Sequence, residues 1–459
     1  MEDALRTDLY QLTMAAGYFH RGMASRTATC EMFVRRLPER RRYLVAMGLE
    51  RLLRYLEDLR FTDAQIEYLA TIPALADAMT PPFREYLRGF RFDGDVWAMP
   101  EGTVFFEQEP LVRITAPIIE AQIVETFLLS ALNHATMVAS KAARVVLAAG
   151  PASVVEFGSR RTHPDAAVDA ARAAYAVGFA GTSNVEAGMA HGIPVTGTAA
   201  HMWTMAHATE EAAFEGYVAV FPSASILLID TYDTLEGARR AAAIAKDKLK
   251  GVRLDSGDLG ALSKAVRVIL DEAGCPQAKI VASGDLNEHK IAALRAAGAP
   301  IDVYGVGTEL VTSRDAPSLG GVYKLVEIGE GDVRSPIAKF SEGKATLPGA
   351  HQVYRHRAAG GELARDVIAL ADEPAPEGAE ALLGPVMKGG ARVGPAEGLD
   401  AIRARARREL ASLPEALREI GEAEEGGTEG GPGLYRPEIS PKLAALIDEV
   451  RARVVKGEG

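Results

Sequence analysis

From residue 151 to about residue 330 the chain repeats one pattern. A short, nearly unbroken apolar run ends in Gly, Ser, Asp or Thr, and a helical stretch follows. VVEFGSR, GFAGTS, IPVTGTAAH, SILLIDTYD, GVRLDSGD, KIVASGD and VYGVGT are the runs. Segments such as TLEGARRAAAIAKDKL and NEHKIAALRAAG lie between them. Strands apolar on both faces that alternate with helices form a parallel sheet covered on both sides. This many units fit a β/α barrel better than an open sheet. They share no repeated motif, so the period is architectural and the chain is not a solenoid.

The flanks read differently. Residues 7–22 carry Leu9, Leu12 and Met14 at roughly helical spacing behind Thr7, a candidate N-cap. TATCEMFVRRLP reads as a strand whose Arg35 and Arg36 face water, with Pro38 ending it. Helical spacing returns in YLVAMGLERLLRYLEDL and over 63–79, before the Gly/Pro-punctuated β region of residues 91–117. Ile119 to Ala149 is apolar at three-and-four spacing and predicts a core helix or helix pair. After Leu325 short strands resume in PIAKFSEGKATLPGAHQVYR. Charged helical residues cover 395–420, and a last amphipathic helix, SPKLAALIDEVRARV, closes the chain. The expected organisation is an α+β domain over 1–118, connecting helices over 119–150, and an irregular β/α barrel over 151–330. Residues 331–459 return to the α+β domain, with a glycine-rich linker near 421–433.

At 459 residues the chain is long enough for two or three cores. Its 48% hydrophobic and 25% charged content is ordinary for a soluble globular protein, which excludes a disordered or fibrous one. The formal charge of −11 argues against general nucleic-acid or anionic-membrane binding, so any phosphate site must be a local cluster of cations. Cys30 and Cys275 stand far apart and outside any ligand motif, which makes a disulfide framework and structural zinc poor readings. MEDALRTDLYQLTM lacks a signal peptide's basic and apolar regions, and no apolar run is long enough to span a membrane. A cytoplasmic protein is expected.

The C-terminal ends of barrel strands face one mouth, so their residues converge however far apart they lie in sequence. They supply Phe157, Gly158, Arg160 and Arg161; Thr182 and Ser183; His201; Asp230 and Asp233; Arg253, Asp255, Ser256 and Asp258; Ser283, Gly284 and Asp285; and Gly305, Gly307 and Thr308. In GTAAHMWTMAHAT, residues 197–209, His201 sits where a buried strand is expected to run into a helix start. Taken alone it reads first as a satisfied core or capping histidine, with a reactive imidazole as the alternative. The glycine turns SGDLNE and GVGTELV can offer backbone N–H groups to a phosphate, or simply end a strand. RLDSGD sets one fixed cation beside carboxylates, which suits phosphate, ribose hydroxyls and magnesium. The same residues could also be an ordinary ion pair beside a turn.

EFGSRR at 156–161, GTSN at 181–184, GTAAH at 197–201, GVRLDSGDL at 251–259, SGDLNE at 283–288 and GVGTELVTSRDAPSLGGVYKL at 305–325 resemble the nicotinate phosphoribosyltransferase family. So do TDLYQLTM at 7–14, ASKAARV, ATLPGAHQVYR and the late YRPEIS. The resemblance implies an irregular β/α barrel with an α+β domain, in a homodimer with each active site between subunits. It implies transfer of phosphoribosyl from phosphoribosyl pyrophosphate to nicotinate, in salvage to NAD. ATP would be a co-substrate whose hydrolysis is coupled through a phosphorylated histidine at the position of His201.

By the same resemblance Phe157 stacks on the pyridine ring, with Tyr10 of the neighbouring subunit on the other face. Arg160 and Arg253 meet the anionic substrates, Asp255 the ribose hydroxyls, and the Gly284 and Gly307 loops the 5′-phosphate. Thr182, Ser283, Asp285, Gly305 and Thr308 complete the lining. Magnesium is expected to arrive mainly with the pyrophosphate, with Asp258 and Asp233 as candidate contacts. Related nicotinamide enzymes carry an aspartate where this chain has Ser183. A hydroxyl and a backbone N–H there can donate to nicotinate's carboxylate, which a carboxylate would repel. The alternatives are a nicotinamide-type or other phosphoribosyltransferase of this fold, or a silent sugar-phosphate binding protein.

Overall fold

The computed structural model describes residues 3–39, 41–331, 333–341, 343–420 and 435–455, so the stretch expected as a linker near 421–433 lies outside them. The chain divides into two compact units, and the division falls inside the helix Glu125–Ala149, between Met137 and Val138. Among the described residues no helix is long and apolar enough to cross a membrane.

The first unit joins the residues up to Met137 with a return segment that starts at Ser318. Its largest sheet has the order Val333–Pro336, Gly321–Glu330, Thr27–Val34, Pro110–Pro117, Asp95–Ala98, Gly384–Lys388, Ala391–Arg392. Thr27–Val34 lies at its centre, antiparallel to both neighbours, and is buried almost throughout. Gly321–Glu330 therefore belongs to this sheet and not to the barrel expected to extend to 330. It is only partly buried, as befits a strand with one covered face. A smaller sheet pairs His351–Arg357 with Leu363–Leu370.

The first long helix is Leu9–His20. Its N-cap is Asp8, not the expected Thr7, and no side chain closes the cap. Arg35 and Arg36 fall just beyond the end of the Thr27–Val34 strand. The apolar face of the helix, with Leu12, Ala15 and Ala16, joins a core with Met32, Val96 and Ile114, each within a few per cent of full burial. Burial of that kind stabilises by about 1.5–3 kcal/mol per large apolar side chain.

The second unit, Val138–Pro317, is the α/β part. Its parallel sheet has the order Gly181–Thr182, Ser153–Glu156, Val303–Val306, Lys279–Ala282, Gly251–Leu254, Ile226–Leu228. Each strand neighbours the next in chain order except Gly181–Thr182 and Ile226–Leu228, which stand at the two ends of the order, and the last strand returns to pair with the first. That cyclic order is the order of a barrel. One expected strand is nearly missing. IPVTGTAA contributes a single parallel bridge, Thr182 to Val195, and most of the segment is exposed rather than buried. Pro194 has no N–H to offer a ladder, and its only neighbouring strand is two residues long. The resulting seam lies between Val195 and Ile226–Leu228. The covering helices pack closely because their inner faces are small: Ala167, Ala170, Ala171 and Ala174 line the buried side of Pro164–Val177.

Candidate active site

Arg253 and Asp255 are two positions apart at the end of a strand, so their side chains leave the same face, while Leu254 between them points into the core. The guanidinium donates from Nε to Ser283 Oγ at 2.8 Å, from Nη1 to Thr198 Oγ1 at 2.9 Å and from Nη2 to Asp255 Oδ1 at 2.7 Å. It also stands 5.6 Å from the centre of the Phe157 ring, within cation–π range. Three strand ends and one loop thus meet on one cation. Burial works against the charge on Asp255. The Ser283 hydroxyl and Arg253, with His201 further out, outweigh it and hold this carboxyl below its ordinary value. Asp255 is therefore a fixed anion, about 29% exposed, with Oδ2 turned toward His201 Nε2 at 3.9 Å.

His201 is the first residue of the short helix His201–Met205. Its Nδ1 lies 3.1 Å from Thr231 Oγ1, a contact across the unladdered seam, and the ring is about 40% exposed. Held by one nitrogen and open at the other, it is not a satisfied core histidine. His207 shows the contrast: its Nδ1 is bonded to Trp203 O at 2.8 Å and its ring lies against the indole. Asp230 supports the neighbouring turn, because its Oδ2 accepts from Asp255 N at 2.9 Å and from Ser256 Oγ at 2.6 Å.

A second group surrounds Glu156, fully buried at a strand end. It accepts from Thr182 Oγ1 at 2.5 Å and from the Gly158 N–H, and burial raises its carboxyl above the ordinary value despite both bonds. Thr182 Oγ1 in turn accepts from Asn184 N at 2.9 Å, and Asn184 caps the helix Val185–His191. The Ser183 N–H donates to Glu156 O at 2.9 Å. That backbone donor, expected to face a substrate carboxylate, is spent on the extended ladder, so the half-buried Ser183 offers its hydroxyl alone.

Two glycines are required by shape. At Gly305 an added Cβ would sit 2.4 Å from the Phe157 ring, so this strand can back the aromatic side chain only with glycine. Gly284 has φ +103°, and a Cβ there would lie 2.3 Å from Asp255 O. Asp285 follows at φ +47°, so two consecutive left-handed residues shape the turn after Ser283. Lys290 Nζ holds the Asp285 carbonyl at 2.8 Å. Gly307 packs on the Phe157 carbonyl and precedes the turn beginning at Thr308.

The expected residues are not all gathered. Arg160 and Arg161 form a short exposed turn, Ser159–Arg161. Tyr10 is exposed on the first helix, in the other unit. Asp233 and Asp258 are helix N-caps: Asp233 Oδ1 accepts from Leu235 N and Glu236 N, and Asp258 Oδ1 from Ala261 N. Each spends one carboxylate oxygen on its own helix, which leaves the other for anything else. Among the described residues no three His, Cys, Asp or Glu side chains group as metal ligands. The sequence reading gave no role to Thr198, Thr231 or Glu156. A carboxylate closing the apolar run VVE was the available signal for the last. The two threonines become visible only when the loops meet.

The sequence profile of the nicotinate phosphoribosyltransferase N-terminal domain matches residues 5–133, and that of the nicotinate phosphoribosyltransferase family matches residues 152–330. The chain is 46% identical over 424 residues to a nicotinate phosphoribosyltransferase of Mycobacterium tuberculosis, covering 91% of this chain and 89% of that one. It is 34% identical to the nicotinate phosphoribosyltransferase of Homo sapiens, covering 82% and 81%. The crystal structure of human nicotinic acid phosphoribosyltransferase superposes with a TM-score of 0.85 at 30% identity, over 97% of this chain and 99% of that one. A nicotinate-nucleotide pyrophosphorylase from Pyrococcus furiosus superposes at 0.72 and 26% identity, over 90% and 97%.

Proposed function

The chain belongs to the nicotinate phosphoribosyltransferase family, and from that premise we propose that its reaction takes place at the barrel mouth around Arg253, Asp255 and His201. The enzyme joins nicotinate to the phosphoribosyl group of phosphoribosyl pyrophosphate, giving nicotinate mononucleotide and pyrophosphate. The assignment of place rests on one observation: Arg253 bonds Asp255, Ser283 and Thr198 and lies beside Phe157. A guanidinium has five N–H donors, so two remain after these bonds for substrate oxygens. The pyridine nitrogen forms its bond to ribose C1 as the bond from C1 to pyrophosphate oxygen breaks, and the electron pair leaves with pyrophosphate. Positive charge grows on the ribose. Asp255, kept ionised, offers Oδ2 to the ribose hydroxyls and favours that charge. Phe157 offers a face to the pyridine ring, and the Gly284 and Gly307 loops receive the 5′-phosphate. Magnesium enters with pyrophosphate as part of the substrate. Asp233 and Asp258, each with one oxygen committed to a cap, would offer it the other.

His201 couples ATP to this step. With its Nδ1–H donating to Thr231 Oγ1, the Nε2 lone pair is free to attack the γ-phosphorus. An N–P bond forms, the bond to ADP oxygen breaks, and water later hydrolyses the phosphohistidine. On the helix of His201 the side chains of Met202 and Met205 are exposed, as are Val185 and Met189 on the preceding helix and Val195 between the two. We assign this apolar surface to a second copy of the chain, whose Tyr10 covers the ring site.

Incubation with magnesium, phosphoribosyl pyrophosphate and either nicotinate or nicotinamide, with and without ATP, tests the reading. Nicotinate mononucleotide forms, faster with ATP. Preferential use of nicotinamide would overturn the role given to Ser183, and phosphoribosyl pyrophosphate binding with neither product formed would support the silent sugar-phosphate binder instead.

A further inference from the structure

A lysine inside a protein core needs a reason, and Lys141 is about 1% exposed. It lies on the second-unit part of the helix Glu125–Ala149, in the sequence ASKAARV, far in sequence from Arg253, Asp255 and His201. Its ammonium is 2.5 Å from Glu288 Oε2, 2.9 Å from Asp315 Oδ1 and 4.0 Å from Glu309 Oε2. One turn along, Arg144 Nε donates to Glu288 Oε1 at 3.0 Å. Glu288 is fully buried, and Lys141 and Arg144 hold its carboxyl below the ordinary value against the effect of burial.

The three carboxylates have telling positions. Glu288 is the first residue of the helix Glu288–Ala296, directly after Ser283, Gly284 and Asp285. Glu309 and Asp315 follow Gly307 and Thr308. One buried ammonium therefore ties both glycine turns to a single rigid helix. A buried ion cluster is a poor device for stability alone, because apolar residues of similar volume often serve as well or better. It is a good device for fixing backbone, since charge pairs allow few geometries.

We propose that Lys141 is a positioning residue for phosphoribosyl pyrophosphate: it sets the register of the two loops that receive the 5′-phosphate without touching the substrate. This rests on the function proposed for those loops. Pinning matters there because Gly284 and Asp285 hold left-handed conformations that an untethered turn would leave readily. Displacing a binding loop by about 1 Å is enough to cost on the order of a hundredfold.

The test uses Lys141→Met and the double variant Lys141→Met/Asp315→Asn. The double variant removes one cation and one anion together and leaves Glu288 paired with Arg144, so it carries the test if the single variant fails to fold. Binding of phosphoribosyl pyrophosphate is measured by calorimetry. KM for each substrate and kcat are measured per folded enzyme, with the other substrate saturating. In the folded variants the Kd and KM for phosphoribosyl pyrophosphate rise roughly ten- to a hundredfold, while the KM for nicotinate stays near the wild-type value. A lowered thermal midpoint with phosphoribosyl pyrophosphate binding unchanged would overturn the proposal. If the wild-type protein itself neither binds nor uses phosphoribosyl pyrophosphate, the failure belongs to the proposed function.

Discussion

Arg355 and Arg253 both sit beside carboxylates, and only Arg253 is at the candidate site. In the first unit Arg355 is fully buried. Its Nε and Nη2 donate to the two oxygens of Asp366 at 2.9 and 2.6 Å, and its Nη1 donates to Glu409 at 2.6 Å. Glu409 also takes Arg357, and Glu109 beside Asp366 is pushed well above the ordinary carboxyl value by burial and by that neighbour's charge. The node is closed to solvent. In the second unit Arg253 is about 15% exposed, keeps two donors in reserve, and grips an aspartate whose second oxygen points at an exposed imidazole. Each arginine makes three such bonds, so what separates them is water: Arg355 and Asp366 are shut away from it, whereas Arg253 and Asp255 open onto a mouth where a substrate can reach them.

The sharpest way to break that contrast is to truncate both. Arg355→Met leaves Asp366 buried without its cation and Glu409 with Arg357 alone, which costs about 3–5 kcal/mol. The expected outcome is a large fall in thermal midpoint or loss of soluble protein. Arg253→Ala should leave the midpoint within a few degrees of wild type and lower kcat/KM about a thousandfold, the scale of losing a preorganised charge in an active site. Similar stability losses in the two variants, with similar activity per folded molecule, would erase the distinction.

A smaller effect concerns the open side of the Arg253 site. His201→Ala should abolish stimulation by ATP, so that rates with and without it differ by a factor of about one, while slow transfer without ATP remains. Steady-state rates at saturating nicotinate show this directly.

The smallest effect returns to the closed unit. Glu120 accepts from Asp93 N at 2.7 Å, yet burial, with the Asp93 charge, pushes its carboxyl up to about 7. The folded value thus lies above the unfolded one. Between about pH 4.5 and 7 the unfolded chain has released the proton that the folded chain still holds, so this group's contribution to stability falls as pH rises and levels off above 7. Glu120→Gln should therefore gain in thermal midpoint over wild type as pH is raised from 5 to 7.5. A constant difference across that range would contradict the assignment.

The alternation of apolar runs and helices made the barrel legible, because doubly buried strands leave few polar positions to confuse the pattern. The list of strand ends correctly brought Arg253, Asp255, Ser283 and Phe157 together, since convergence follows from the fold itself. The missing strand at 193–200 was not legible. An apolar run ending in small residues looks the same whether a full ladder or a single bridge receives it. The caps made by Asp233 and Asp258 are local and were open to sequence reasoning, but Ser183's backbone donor and the closure of Thr198 on Arg253 and of Thr231 on His201 depend on which loop lies opposite. No spacing in the sequence encodes that. Lys141 was visible only as part of a family-like motif. Its burial against Glu288 and Asp315 gives that motif a physical reason.

His201, the open imidazole at the seam, is proposed to accept phosphate during nicotinate transfer. The direct measurement is incubation with γ-labelled ATP, followed by quantifying protein-bound label that is stable to alkali and lost in acid. Wild type should take up label that is discharged when nicotinate and phosphoribosyl pyrophosphate are added, and His201→Ala should take up none. Label retained in His201→Ala, or label in wild type that the two substrates leave untouched, would contradict the account.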